Sequence, residues 1–163
     1  DPELSRGLGD VYKRQHISYG FNETNDYVLS DYKSKGKKSS FKITSDSLSI
    51  ELTLNMLGKH NALNAAAAVV LCLQEEIPLK VIKESLNNFM GINRRMQILG
   101  EQKLENSSCI YIDDYAHHPT EIKKTIEAVR DSYPSHRLNM IFQPHRFTRT
   151  KDLFDEFIDL MSK

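Results

Sequence analysis

The sequence predicts a mixed α/β chain in two parts: antiparallel strands with two helices first, then a partial parallel α/β unit. Three observations carry this. Residues 16 to 57 carry β signals, with period-two alternation at Phe41 to Thr44 and Leu48 to Leu54. Residues 61 to 89 switch to alanine- and leucine-rich helical spacing. From Met96 onward, strand-like and helix-like runs alternate, the pattern of a parallel sheet with right-handed crossovers.

In the first part, Tyr27-Val28-Leu29 reads as a short strand and Lys33 to Lys38, with Gly36, as a solvated turn. Phe41 to Thr44 and Leu48 to Leu54 alternate cleanly, and Thr44 to Ser47 between them has turn chemistry. These are expected to be antiparallel strands with one wet face. Gly58-Lys59-His60 breaks the pattern. Asn61 to Glu76 is apolar nearly all round and should be a buried helix. Pro78 suits the first turn of a second helix, Leu79 to Phe89, with Val81, Ile82, Leu86 and Phe89 as its apolar stripe.

Gly91 to Arg95 is short and polar, and a domain boundary is expected there, dividing residues 16–90 from 91–163. Met96 to Leu104 is the next strand candidate. Cys109 to Ile112 and Leu138 to Phe142 read as buried, parallel strands. Pro119 to Tyr133 and Thr150 to Met161 have helical spacing, the latter with Leu153, Phe154, Phe157, Leu160 and Met161 on one side. Residues 1–15 share no pattern with the rest of the chain and resemble translated adaptor or vector sequence, so a non-native leader is expected there.

Composition narrows the function classes. Hydrophobic residues make up 39% of the 163 positions and charged residues 27%, an ordinary globular balance. Lys plus Arg equals Asp plus Glu at 22 each, so no global basic field argues for nucleic acid or a membrane surface. Any anion recognition must be local. No run is apolar enough to span a bilayer and no signal peptide is visible, which makes the cytoplasm the default compartment. Cys72 and Cys109 sit in apolar contexts and read as reduced core residues.

Two loops concentrate the chemistry. Asp113-Asp114-Tyr115-Ala116-His117-His118-Pro119-Thr120-Glu121 and Phe142-Gln143-Pro144-His145-Arg146-Phe147-Thr148-Arg149-Thr150 each lie between a strand-like run and a helix-like run. In an open α/β sheet such turns share one edge, where ligands bind. Arg146 and Arg149 can present rigid forks to a carboxylate or phosphate. His117 and His145 can donate to an anion or carry a proton near neutral pH. Asp114 suits a sugar hydroxyl rather than an anion. Pro119 suits the first helical position and Glu121 the positive end of the helix dipole.

Plainer readings stand beside these. Asp113 and Asp114 could cap the turn, and the arginines could be surface charges, although two cations at a helix start oppose its dipole. The Asp and His pairs could suggest a metal, but adjacent residues rarely both bind one ion and no spaced third ligand follows. Asn61 and Asn64 share one face of a helix start. Capping by one of them and amide recognition of a base or ribose are both open.

Four segments, in order and spacing, resemble the Mur ligase family. Gly58-Lys59-His60-Asn61-Ala62-Leu63-Asn64-Ala65-Ala66-Ala67-Ala68 is similar to G-x-H-N-x-x-N-A-x-A-A, and Phe89 to Gln97 to F-x-G-V-x-R-R-F-Q. Asp113 to Glu121 resembles D-D-Y-G-H-H-P-T-E, with Ala116 at the usual glycine, and Phe142 to Arg149 resembles F-Q-P-H-R-Y-T-R, with Phe147 at the tyrosine.

The resemblance covers about residues 16 to 163 and implies the end of a central ATPase domain followed by the first half of a Rossmann-like C-terminal domain. It implies an ATP-dependent amide ligase of peptidoglycan synthesis that works through an acyl-phosphate, with ATP, Mg2+, UDP-N-acetylmuramate and L-alanine as its small-molecule partners. The ligands of Mg2+ are expected upstream. Carried over by motif, His60, Asn61, Asn64, Arg95 and Asp114 would contact ATP. Tyr115, His117, Arg146 and Arg149 would line the L-alanine side, with His145 near the reacting centre. No G-x-x-x-x-G-K-[ST] phosphate loop occurs in the sequence, so the 163-residue chain alone is expected to be inactive. The alternatives are another Mur-type ligase, such as one that recycles murein peptides, and a metal-dependent phosphoesterase.

Overall fold

The computed structural model describes residues 16–162; the expected leader, residues 1–15, lies outside them. The first part is a four-stranded sheet in the order β1-β2-β3-β4, formed by Tyr19–Gly20, Tyr27–Lys35, Lys38–Thr44 and Ser49–Leu54. The β2–β3 and β3–β4 pairs are antiparallel, as their alternation predicts. β1 pairs parallel to β2 over two residues, a contact too short to leave a sequence pattern.

β2 is longer than expected. A register shift between Ser30 and Lys33, with Asp31 at φ 53°, re-aims the strand and lets it continue to Lys35. The turn then shrinks to Gly36 and Lys37. Gly36 takes φ 59°, a conformation that favours glycine.

Two helices cover one face of this sheet: α1, Lys59–Gln74, and α2, Leu79–Asn88. Leu29, Phe41, Ile43, Ile50, Leu52 and Leu54 point inward and meet Ala62, Ala65, Ala66 and Val69 of α1 and Ile82 of α2. Small alanines let α1 lie close to the strands. Each fully buried Leu, Ile or Phe here contributes about 1.5–3 kcal/mol.

After the segment 89–96 come β5, Gln97–Lys103, and β6, Ser108–Asp113, then α3, Pro119–Ser132, α4, Phe147–Asp152, and α5, Phe154–Met161. The chain is mixed α/β, as the sequence indicates, but the expected parallel pairing is corrected. β5 and β6 form an antiparallel two-stranded sheet, and residues 138–142 form no strand. A parallel strand depends on cover over both faces. Here Ile141 is fully exposed and Met140 is 41% exposed, so nothing holds the segment in a ladder. β6 is half-buried rather than buried, with Tyr111 50% exposed.

The single helix expected from Thr150 to Met161 is two helices broken at Leu153. Of its apolar side, Phe157 is buried and stacks on Phe142 at 5.4 Å between ring centroids, while Phe154 and Met161 stay exposed. Both cysteines are free and half-buried.

A second, smaller core ties the two parts together. Leu57, Met96 and Ala128 are buried against one another, with Ile98, Val129 and Tyr133 packed around them. Beside it the Ser34 and Ser132 hydroxyls share a hydrogen bond across 98 residues of sequence. These contacts hold α3 against β2 and the residues just before α1.

Candidate nucleotide and amino-acid site

Gly58 heads α1 with φ 94°, and its amide donates to the Tyr32 hydroxyl at 2.9 Å. A side chain at this position would collide with its neighbours: a Cβ would lie 2.5 Å from His60 Cε1 and 3.0 Å from Ala128 Cβ. Glycine therefore lets the His60 ring fold back over the helix start. Capping by Asn61 or Asn64 does not occur, since α1 has no side-chain cap. Asn61 is buried and donates through Nδ2 to the Leu57 carbonyl at 2.7 Å. Asn64, one turn on, is exposed.

The second wall is the turn after β6. Asp114 accepts the Met96 amide on Oδ2 at 2.8 Å and the Ala116 amide on Oδ1 at 2.7 Å. The turn-forming reading of Asp114 is thus realised, and both of its oxygens hold backbone. The Tyr115 amide donates to the Arg94 carbonyl at 2.7 Å. Arg94 also reaches Asp113 at 3.5 Å and lies over the Tyr115 ring at 5.0 Å. Arg94 and Met96 both take positive φ, 58° and 50°, so the link between the two parts is a tight, specific bend.

His118 caps α3 by accepting the Thr120 amide on Nδ1 at 3.2 Å. Glu121 completes the reciprocal capping box, its Oε2 accepting the amides of His117 at 3.1 Å and His118 at 3.2 Å.

Between these walls lies a cavity of about 410 Å³. His60, Asn61, Asn64, Arg95 and Asp114, drawn from three separate sequence segments, all line it. Thr120, Glu121, Lys124 and Thr125 form its α3 side. The size suits a small organic ligand. A second, mostly apolar cavity of about 470 Å³ adjoins it and shares Met56, Asn61, Asn64 and Ile92.

The electrostatics are mixed. Burial pushes the His60 pKa down; the Asp114 carboxylate opposes this, and Lys124 and Arg95 reinforce it. Burial pushes Glu121 up, but the His117 and His118 amides, with the charges of His117 and Arg95, outweigh it and hold the carboxyl below its usual value. Lys124 pairs with Glu127 at 2.8 Å. Arg95 has no carboxylate at ion-pairing distance among the described residues, which leaves its fork available on the cavity wall.

The remaining sequence candidates do not line this cavity, and three of them meet one another. The Tyr115 and His117 rings meet edge to face at 4.9 Å, and the His117 and His145 rings at 5.8 Å. The two loops therefore meet even though the parallel strand expected to align them does not form. Arg146 heads α4 at φ 68° and is exposed. Arg149 is half-buried, and its Nη1 is buried with no hydrogen-bond partner among the described residues. No group of three His, Cys, Asp or Glu side chains converges as a metal site among the described residues.

Sequence reasoning gave Glu121 only a dipole role and passed over Lys124 and Thr125. The spacing His118-x-x-Glu121 carried the capping-box signal for the first. The other two become visible only when α3 is docked against α1.

Residues 2–72 match the Mur ligase middle domain, and residues 94–163 match the Mur ligase glutamate ligase domain. UDP-N-acetylmuramate-alanine ligase from Thermotoga maritima superposes with a TM-score of 0.72 at 29% identity, over 93% of this chain and 33% of that one. A pseudomurein peptide ligase type C from Methanothermus fervidus gives 0.63 at 25% identity, over 85% of this chain and 26% of that one. MurF from Acinetobacter baumannii shares the fold, with a TM-score of 0.66 at 20% identity over 90% of this chain and 31% of that one. The chain spans a third or less of the length of these relatives. With the two family domains matched in order on either side of the bend that lines the cavity, the chain belongs to the Mur ligase family.

Proposed function

We propose that this chain forms part of an ATP-dependent ligase joining L-alanine to the carboxylate of UDP-N-acetylmuramate in the cytoplasm. One observation carries the nucleotide half of the reading: His60, Asn61, Asn64, Arg95 and Asp114 line a single cavity. The asparagines sit where the polar and apolar cavities join, as a base needs, with apolar surface for its faces and amides for its edge. Arg95 supplies a planar cation for the phosphates. Asp114 fits a ribose hydroxyl only through its remaining lone pairs, because each oxygen already accepts an amide.

The amino-acid half rests on the neighbouring cluster. Arg149, with its partnerless buried nitrogen, and Arg146 beside it suit the carboxylate of L-alanine. Tyr115 and His117 would line the same side, and His145, whose ring meets His117, would stand near the reacting centre. When bound, MgATP supplies a phosphoryl group that activates the substrate carboxylate. These residues then orient the amine and stabilise developing charge, the main demands of such transfers. Magnesium has no ligand set among them and enters no step assigned to them.

The test is ADP release by the full-length protein carrying this sequence. Release should require both UDP-N-acetylmuramate and L-alanine. A requirement for a preformed peptide instead would point to a different member of the family, and ADP release by the 163-residue chain alone would contradict its expected inactivity.

A further inference from the structure

His117 Nδ1 lies 2.9 Å from the Tyr115 carbonyl oxygen and 3.6 Å from Glu121 Oε2. Both neighbours can only accept, since one is a carbonyl and the other a carboxylate held ionised by two amides. Nδ1 must therefore carry the hydrogen, which leaves Nε2 of the neutral ring with a free lone pair. The same carboxylate oxygen fixes the backbone on which the ring is mounted, through the His117 and His118 amides. Glu121 thus fixes the backbone and stands at ion-pairing distance from the ring, which the Tyr115 carbonyl holds by hydrogen bond.

We propose that Glu121 is the positioning residue of His117, and that His117 Nε2 is the proton acceptor for the attacking amine. The proposal rests on the amide-ligase reading above. In the step it serves, the amine nitrogen attacks the acyl carbon of the acyl-phosphate. The C–N bond forms, the C–O bond to phosphate breaks, and phosphate leaves with the electron pair. The proton lost by nitrogen passes to His117 Nε2 and from there to water. The Tyr115 carbonyl selects the tautomer, and a carboxylate at ion-pairing distance behind a histidine base stabilises the imidazolium that forms. The other groups facing this pair are the Tyr115 ring, His145 from the loop before α4, and Arg95, whose charge acts on Glu121.

The test uses full-length protein labelled with 15N at histidine, with His117 assigned through His117→Gln. Long-range proton–nitrogen spectra of the neutral ring should show hydrogen on Nδ1. Glu121→Gln keeps an oxygen for the two amides but removes the charge. It should lower the His117 titration midpoint, reduce kcat on the order of tenfold and move the acid limb of the kcat profile to lower pH. A purely structural role would lower kcat without moving that limb. Hydrogen on Nε2 in the unsubstituted protein would overturn the proposal without any variant, and so would an acid limb that Glu121→Gln leaves in place. If no amide-forming activity is found while the tautomer and the midpoint shift are as stated, the ligase reading and the proton-acceptor role fall together, and the hold of Glu121 on the ring stands.

Discussion

Asp114 accepts the Met96 amide across 18 residues of sequence, at 2.8 Å, while its other oxygen closes the turn on Ala116. One carboxylate thereby locks the bend between the two parts of the chain to the loop that carries Tyr115 and His117. Asp114→Ala strands two amides, and each lost hydrogen bond to a charged group costs about 1.5–3 kcal/mol. The variant should unfold at lower denaturant concentration than Asp114→Asn, which keeps one acceptor oxygen. Equal midpoints for the two would show that the carboxylate is not what ties the bend.

Gly58→Ala should impair nucleotide binding as well as stability. The added Cβ meets the His60 ring and Ala128, and the φ of 94° disfavours any side chain, at a cost of about 1–3 kcal/mol. His60 would have to swing from the cavity wall. Calorimetric titration of the full-length protein with ATP should show weaker binding; unchanged affinity would mean that His60 does not contact the nucleotide.

His60 gives the stability a pH dependence of known sign. Its folded pKa lies below the ordinary 6.5 because burial disfavours the charged ring. The unfolded chain therefore takes up the proton first. The contribution is complete above about 6.5 and is lost as pH falls from there through the folded value. His60→Gln should remove this slope from denaturant midpoints measured between pH 7 and 5. A slope that survives the substitution would assign it to another group.

Arg146→Ala in the full-length protein should raise the requirement for L-alanine far more than that for ATP, whereas Arg95→Ala should impair the ATP-dependent step. Losing one charge-assisted contact corresponds to roughly tenfold or more in apparent affinity. Steady-state kinetics with each substrate varied in turn will separate the two; equal effects of Arg146→Ala on both would detach the second loop from the amino acid.

The central strands were legible because their periodicity reflects burial on one face, as in Phe41, Ile43, Ile50, Leu52 and Leu54; the first helix was legible from its alanine- and leucine-rich run, although Leu71 is exposed rather than buried. The parallel strand at 138–142 was not. An apolar run such as Met140-Ile141-Phe142 becomes a strand only if partners and cover are supplied from elsewhere, and Ile141 has neither. Helix ends were misjudged where a backbone feature intervened, as at Leu153.

By itself, the sequence determined the residue types of the site and their family: the Asn61 and Asn64 pair, the Arg94-Arg95 bend and the two His- and Arg-bearing loops are local motifs. Only the tertiary structure decided which of them share a cavity and that Asp114 reaches across to the Met96 amide. The reason is physical. A motif fixes chemistry within a few residues, but distances between motifs are set by packing, here by Leu57 and Met96 packing against Ala128 of α3.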